Sequence, residues 1–140
     1  MEPQILVNRI ITPDGTELIS RHRHDYVTYT DKNGQHYSCD GGNDYLRRGF
    51  DVEDYTEASL TSVDPFELLR QHIYRGGRGK DGKQPLTYVA LKDMNNPWLV
   101  ACIEYEEEHR PSNIYLPYYK MELEYRGEHN IYIEEQDERL

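Results

Sequence analysis

The first part of the chain consists of short apolar stretches separated by turn-forming residues. Residues 5–11 are apolar and rich in β-branched side chains, and residues 12–15 (TPDG) follow as a strong turn signal. Asn33-Gly34 favours a two-residue type I′ hairpin loop between two further β-forming stretches. We therefore predict short antiparallel strands here. The remaining predicted strands are 16–20, 21–31 and 35–40.

From residue 64 onward, apolar residues recur at helical spacing. Residues 64–67 (DPFE) combine an N-cap, a proline at the first helical position and a glutamate at N3, and they predict a helix that ends at Gly76-Gly77. Asn96-Pro97 predicts a second helix, closed by Pro111, and Leu116-Pro117 predicts a third that ends near Gly127. A short strand over 87–91 precedes the second helix.

Together these elements predict an α+β fold, with an N-terminal antiparallel β-sheet of hairpins followed by about three helices. The length of 140 residues fits a single domain over 1–140. Within it we distinguish a strand-rich part (4–60), a helix-rich part (64–130) and an acidic tail (131–140). The predicted core residues are Phe66, Leu69, Ile73, Trp98 and Tyr105.

Charge is distributed unevenly along the chain, whose formal net charge is −10. Up to Lys92 there are 12 basic and 14 acidic residues, whereas from Asp93 onward there are 4 basic and 12 acidic residues. Direct binding of duplex DNA is therefore not expected, because phosphate binding needs basic surface. The acidic part is either a solvated face or a surface for a basic protein. The 13 tyrosines exceed what a small core absorbs, so we also expect a homo-oligomer.

The segment 20–26 (SRHRHDY) concentrates histidine, arginine and aspartate. If it is a strand, alternate side chains share a face. The two faces carry His22, His24 and Tyr26 on one side, and Arg21, Arg23 and Asp25 on the other. A His-x-His pair on one face is a spacing that metal sites use, because two neutral imidazoles can converge on one ion. Two ligands alone do not make a metal site.

The predicted hairpin register tests whether a third ligand joins these histidines. A two-residue loop places Thr28 opposite Cys39 and Val27 opposite Asp40. Cys39 then lies about 13 Å along the sheet from His24, which is too far for a shared zinc ion. A nucleophilic role for Cys39 is also disfavoured, because neighbouring histidines fall on the opposite face.

The same register places Asp40 diagonal to Asp25 on one face, at about 7–8 Å. Such a carboxylate pair can bind a divalent cation or share a proton. It can equally form structural salt bridges with the arginines of segment 20–26. Both interpretations remain open at this point.

The segment 40–49 (DGGNDYLRRG) forms a second cluster. Gly41-Gly42 allows positive φ or a close backbone approach. Arg47 and Arg48 offer forked donors that suit phosphates or carboxylates. The alternative is a tight turn whose arginines pair with local acidic residues.

The two clusters carry a resemblance. The stretches 18–27 (LISRHRHDYV) and 40–48 (DGGNDYLRR), with 79–89 (GKDGKQPLTYV) and 122–126 (ELEYR), resemble an uncharacterised family of tailed-phage and prophage proteins. Many short members of that family carry CxxC and CxC motifs, like a small zinc ribbon. This chain has residues 11–14 (ITPD) where CxxC would fall and an Asn-Gly hairpin within the core. The resemblance implies a phage protein in which the ribbon metal is lost, and it implies no activity.

The sequence offers only one partial match to a motif of enzymes, in the glycine-rich segment. Gly77 to Lys83 matches Gly-x4-Gly-Lys, but a P-loop needs Ser or Thr next and then a helix, whereas this chain continues with Gln84 and Pro85. We therefore reject nucleoside triphosphatase activity and expect a flexible surface loop or an anion-binding flap. The chain contains neither Gly-x-Ser-x-Gly nor HExxH.

We therefore expect a non-enzymatic phage accessory protein that acts against host defence in the host cytoplasm, without membrane association, cofactor or metal. The favoured role is sequestration of a small anionic, nucleotide-like ligand. The alternatives are an acidic inhibitor that binds a host protein, and a metal-assisted hydrolase or nuclease that uses the two aspartates and the histidines. The predicted ligand-binding residues are Arg21, His22, Arg23, His24, Asp25, Tyr26, Asp40, Asp44, Arg47 and Arg48.

Overall fold

A computed structural model describes residues 2–49, 54–79 and 81–135. Antiparallel strands come first and most of the helical residues come last, so the predicted α+β class is confirmed. The strands are β1 (Ile5–Ile11), β2 (Glu17–Ser20), β3 (Tyr26–Thr30), β4 (His36–Asp40), β5 (Arg47–Arg48), β6 (Thr56–Glu57), β7 (Leu60–Thr61), β8 (Tyr74–Gly77) and β9 (Thr87–Ala90). The helices are α1 (Gly42–Tyr45), α2 (Phe66–His72), α3 (Asn96–His109) and α4 (Leu116–His129), with a 3-10 helix at Leu91–Asp93. No helix in these ranges is long and apolar enough to cross a lipid bilayer.

The chain forms two compact units, Met1–Leu69 and Arg70–Leu140. In the first unit, β1 pairs with β2, β6 and β7, while β3, β4 and β5 form a second antiparallel sheet. Strand alternation turns the apolar side chains inward, where they exclude water. One core cluster consists of Ile10, Leu18, Tyr37 and Cys39, with Val27, Tyr29 and Tyr55 packed against it. Leu6, Val7 and Leu60 of the same unit are also buried.

The turn between β1 and β2 is held by Asp14. Its carboxylate accepts hydrogen bonds from the Thr12 hydroxyl, from the Thr16 backbone N–H at 3.1 Å and from the Tyr29 hydroxyl at 2.5 Å. These bonds, that of Thr12 foremost, hold the pKa of Asp14 well below its ordinary value. The predicted turn at residues 12–15 is therefore present, and it reaches across to β3.

In the second unit, a β8–β9 hairpin precedes α3 and α4, which pack against each other. The helix predicted to reach Gly76-Gly77 is shorter than expected, because α2 ends at His72 and the glycines belong to β8. Gly76 and Gly77 leave room for aromatic rings: a Cβ on Gly77 would lie 2.8 Å from the Trp98 ring. The glycines thus serve close packing in a strand and do not terminate a helix.

Asn96-Pro97 was predicted to cap this helix, and in the structure the cap is one residue earlier, so that α3 begins at Asn96. Asn95 is the N-cap, and its side chain accepts a hydrogen bond from the Trp98 N–H at 2.7 Å. The buried face differs from the predicted one, since Tyr105 is 49% exposed while Glu106 is fully buried. Of the other predicted core residues, Leu69 and Ile73 are buried, whereas Phe66 and Trp98 are only half-buried.

A buried charge network holds α4 in the second unit. Glu122 is fully buried and accepts two hydrogen bonds from Arg70, both at 2.8 Å, and one from Arg126 Nε at 2.7 Å. Arg126 is itself 1% exposed and also donates to Asn96 Oδ1 and to the Leu91 carbonyl. Buried charges are tolerated only when they are paired in this way.

We predict that Glu122→Ala lowers the free energy of unfolding by about 3–5 kcal/mol, because it leaves the buried Arg126 charge without a carboxylate partner. The matched control is Glu107→Ala, whose partner Lys120 lies at 3.7 Å with both side chains 52% exposed. That pair should contribute less than about 1 kcal/mol. Urea unfolding measures both values, and a similar small loss in the two variants would show that the Glu122 network is not needed for stability.

Candidate functional site

Residues 21–25 form a turn, so the predicted strand begins only at Tyr26 and the expected alternation of faces over 21–25 is wrong. The Asp25 carboxylate bends back and accepts hydrogen bonds from Arg21, from its backbone N–H at 2.8 Å and from its Nε at 3.0 Å. The Asp25 N–H donates to the His22 carbonyl at 3.0 Å. Local side-chain bonding of this kind competes successfully with a strand ladder.

The two histidines do not converge as metal ligands. The backbone N–H of His24 donates to His22 Nδ1 at 3.2 Å, and the ring centroids are 6.4 Å apart with the rings edge to face. Partial burial, and secondarily the charges of Arg21 and His24, lower the pKa of His22, although Asp25 opposes them. In the described parts of the chain, no group of three or more His, Cys, Asp or Glu side chains is arranged to hold a metal ion.

The hairpin register is shifted by one residue from the predicted one. The loop has three residues rather than two, because the Asp31 carboxylate accepts the N–H groups of Asn33 and Gln35, both at 2.9 Å, and Gly34 adopts φ +80°. Consequently Val27 faces Cys39, and Thr28 faces Ser38.

The observed strand pairing arranges the side chains of the β3–β4–β5 sheet in two rows, one on each face. Directly opposed residues point their side chains to one face, and neighbours along a strand point to opposite faces. The outward row is Tyr26, Asp40 and Arg47. The inward row is Val27, Cys39 and Arg48.

The predicted carboxylate pair does not act as a unit. Asp40 accepts a hydrogen bond from Arg47 Nε at 2.9 Å, while Asp25 is bound by Arg21. Each carboxylate is thus neutralised by its own arginine. This arrangement corresponds to the structural salt-bridge alternative, except that Arg47 replaces the expected Arg21 or Arg23 as the partner of Asp40.

The Gly41-Gly42 step holds the two clusters together. Ser20 Oγ donates to the Asp25 carbonyl at 2.7 Å and accepts the Gly42 N–H at 2.8 Å. Gly42 has φ +56°, and a Cβ there would lie 2.6 Å from the His22 carbonyl carbon. Only glycine permits this approach of two backbone segments.

Beyond this step, α1 presents an exposed aromatic ring, that of Tyr45, in contact with two arginines. The guanidinium carbons of Arg23 and Arg47 lie 5.4 and 4.9 Å from the centroid of the Tyr45 ring, within the range of cation–π contacts. Arg23 also donates to the Tyr45 hydroxyl at 3.0 Å and lies 3.5 Å from the exposed Asp44 carboxylate. We refer to Arg23, Tyr26, Tyr45 and Arg47 as the arginine–tyrosine surface.

Arg48 has a different environment from Arg47. Its side chain is 11% exposed, and it donates to Asn8 Oδ1 at 2.7 Å, to both oxygens of Glu57 and to the Ser59 hydroxyl. Arg48 is therefore part of the internal framework rather than of the outer surface. Its partners were not predicted; the detectable signal was a polar Asn8 within an otherwise apolar strand.

Cys39 is an internal residue. Its thiol is fully buried and lies 3.3 Å from Asn8 Oδ1 and 3.5 Å from the Asn8 carbonyl. Burial raises the pKa of Cys39 to about 11, despite the nearby Arg48 charge. A thiol of this kind is a poor nucleophile.

Comparisons of the chain with family models, with curated proteins and with solved structures found no match. The chemistry of the site is therefore inferred from its own geometry.

We predict that Gly42→Ala destabilises the protein by about 2–5 kcal/mol, since it adds a steric overlap to the cost of positive φ. Gly34→Ala is the matched control, because Gly34 has φ +80° with nothing within 4 Å of the added Cβ. It should cost only about 1–2 kcal/mol. Equal losses in thermal or urea unfolding would disprove the close approach at His22.

We also predict that Cys39 is unreactive in the folded protein. In a Cys102→Ala variant, about one thiol in a thousand is ionised at about pH 8 if the pKa of Cys39 is about 11. A chromogenic disulfide reagent should therefore modify the denatured protein quickly and the native protein hardly at all. Equally fast modification of both forms would contradict the buried position.

Proposed function

We propose that this chain is a non-enzymatic binding protein that holds an anionic, nucleotide-like ligand on the arginine–tyrosine surface. The observation that carries the proposal is the exposed Tyr45 ring with two arginines beside it, whose side chains are 54% exposed for Arg23 and 52% exposed for Arg47. Planar guanidinium groups match the geometry of phosphate oxygens. Two of them lie at one ring, so each can contribute to holding an anionic ligand there.

The unused donors of Arg47 support this proposal. Its Nε is bound to Asp40, but within the described ranges its two terminal nitrogens donate to no acceptor. The Asp40 contact restricts the orientation of the guanidinium, which lowers the entropic cost of binding. An incoming phosphate therefore meets donors that are already partly ordered.

Tyr26 supplies a second aromatic group, on the face of the β3–β4–β5 sheet that also carries Arg47. It pairs with Asp40 across the sheet, Asp40 pairs with Arg47, and the Tyr26 side chain is 58% exposed. Two strand spacings separate Tyr26 from Arg47, roughly 10 Å, which is close to the distance between the base and the phosphates of a nucleotide. The surface thus offers stacking at one end and charge at the other.

The absence of an activated nucleophile at this surface favours binding over catalysis among the described residues. Cys39 points inward, and Asp25 and Asp40 are each held by an arginine. Together with the resemblance to phage proteins, this favours sequestration of a nucleotide-like host signal in the host cytoplasm as the biological role. The acidic-inhibitor and homo-oligomer expectations remain predictions.

We predict that one or more nucleotides in a panel of cyclic and linear mono-, di- and triphosphates raise the melting temperature of the protein. For such a nucleotide, Arg47→Ala should weaken binding at least tenfold, the equivalent of about 1.5 kcal/mol for one charged hydrogen bond. Isothermal titration calorimetry measures the change.

The matched control is Arg110→Ala, because Arg110 also lies over an exposed tyrosine, 5.7 Å from the Tyr105 ring centroid, but in the other unit. It should leave nucleotide affinity unchanged. An absence of any thermal shift across the panel would refute the proposal, as would equal weakening by the two alanine variants.

A further inference from the structure

The strand β3 lies at a free edge of its sheet. Among the described residues it pairs with β4 and with no other strand. Strand β2, which precedes it in the chain, packs over the inward face of the sheet, where Leu18 belongs to one cluster with Tyr37 and Cys39. The outer edge of β3 therefore keeps a set of backbone hydrogen-bonding groups that its own sheet does not use.

Two hydrogen bonds at the ends of the β3–β4 pairing identify these backbone groups. The Asp31 N–H donates to the Gln35 carbonyl at 3.0 Å, and the Gly41 N–H donates to the Asp25 carbonyl at 3.2 Å. Because bonded and non-bonded positions alternate along an antiparallel pair, the odd-numbered residues of β3 bond to β4. The N–H and C=O groups of the even-numbered residues point to the free edge. These residues share exposure to solvent, and they are Tyr26, Thr28 and Thr30.

The edge of β3 lacks the features that usually protect a sheet edge. Proteins normally block such edges with charged residues, proline or a bulge. The opposite edge of the same sheet, β5, consists of Arg47 and Arg48. By contrast, residues 26–30 (YVTYT) contain no charge, no proline and no glycine, and they pair with β4 without a bulge. An edge of this kind is a template for another strand.

We propose that β3 pairs antiparallel with β3 of a second copy of this chain, with Thr28 opposite Thr28 on the two-fold axis. This register uses all the residues of both strands. It places Tyr26 of each copy opposite Thr30 of the other, and Val27 opposite Tyr29. Aromatic residues opposite β-branched residues, and threonine opposite threonine, are favourable cross-strand pairs. Each pair of even-numbered residues exchanges two backbone hydrogen bonds across the interface.

The charge at this edge supports a second copy as the occupant. The chain has a net charge of −10, so two copies repel each other at most surfaces, whereas the paired segments are neutral. Asp25 and Asp31 come opposite each other at the ends of the pairing, but each is already bound within its own copy. Asp25 is bound by Arg21, and Asp31 accepts N–H groups of its own loop. The pairing is isologous, so it closes with two copies and does not propagate.

This pairing joins the two sheets into one and places both arginine–tyrosine surfaces on the same face, because directly opposed residues share a face. Tyr26 of one copy then lies about 13 Å along the strand from Tyr26 of the other. The backbone of β3 forms the interface and needs no ligand. The test of the pairing and the test of nucleotide binding can therefore fail separately.

The test is analytical ultracentrifugation of the full chain over about a hundredfold range of concentration. We expect a reversible equilibrium between monomer and dimer, with no larger species. Thr28→Lys should raise the dissociation constant of the dimer by about tenfold or more, because it sets two lysines opposite each other at the centre of the interface. Amide hydrogen exchange at the Thr28 and Thr30 N–H groups should slow as the dimer forms.

Thr87→Lys is the matched control, because Thr87 is also an exposed strand threonine but lies in the other unit. It should change the dissociation constant by less than about twofold, with circular dichroism confirming that all variants are folded. A mixture of Thr28→Lys and Thr28→Glu in equal amounts should form heterodimers, since opposite charges then face each other across the axis.

Four outcomes would overturn the proposal. The wild type stays monomeric over the whole range of concentration, or it forms open-ended assemblies. Thr28→Lys dimerises as tightly as Thr87→Lys, which would place the interface elsewhere. The mixture of the two charged Thr28 variants stays monomeric although the wild type dimerises, which would exclude the register with Thr28 on the axis.

Discussion

The first unit depends on the hydrogen bonds of one buried carboxamide. Asn8 is fully buried in β1, donates from Nδ2 to the Asp40 carbonyl at 2.9 Å and accepts from Arg48 Nε at 2.7 Å. Because a buried amide without partners is costly, these bonds specify where β4 ends and which arginine of β5 turns inward. Gly41-Gly42 directly follows Asp40, the residue whose carbonyl Asn8 binds. The position of α1, and of its exposed Tyr45 ring, therefore depends on the hydrogen bonds of Asn8.

Charge pairing is the second constraint, and the two units use it in different ways. In the second unit, Glu122 and Glu106 are fully buried, each with two arginines. Burial is the largest single influence on the pKa of Glu106 and raises it, but the hydrogen bonds from Arg75, Asn113 and Arg110 together outweigh burial, so the pKa lies below its ordinary value. In the first unit, the pairs lie mostly at the surface, where each contributes little stability but restricts the orientation of an arginine. Pairs of arginine with a carboxylate thus stabilise the helices in the second unit, whereas in the first unit they orient arginines at the surface.

Much of the fold could be predicted from local patterns, because strands with β-branched residues and helices with proline at the first turn carry their signals in contiguous residues. The bounds of β1 match the prediction residue for residue. The failures came from side chains that bind the backbone. Asp31 lengthened the hairpin loop, and Asp25 closed a turn where alternation favoured a strand. The buried face of α3 was mispredicted for a related reason: Glu106 occupies a core position only because Arg75 and Arg110 neutralise it, and their positions are tertiary information.

The candidate site shows how much depends on a single residue of register. Arg47 and Arg48 are adjacent and chemically identical, yet Arg47 is half-exposed beside Tyr45 and Arg48 is bound inside to Asn8 and Glu57. Pairing of Asp40 with Arg47 and of Cys39 with Arg48 determines this difference, because successive side chains on a strand point to opposite faces. A slip of one residue would exchange the two arginines and bring the Cys39 thiol to the surface in place of the Asp40 carboxylate. The three-residue loop at Gly34 and the Asn8 anchor lie at opposite ends of β4 and both act against that slip. The arrangement of the outer surface is therefore a consequence of internal hydrogen bonds, those of Asn8 and of the Asp31 turn.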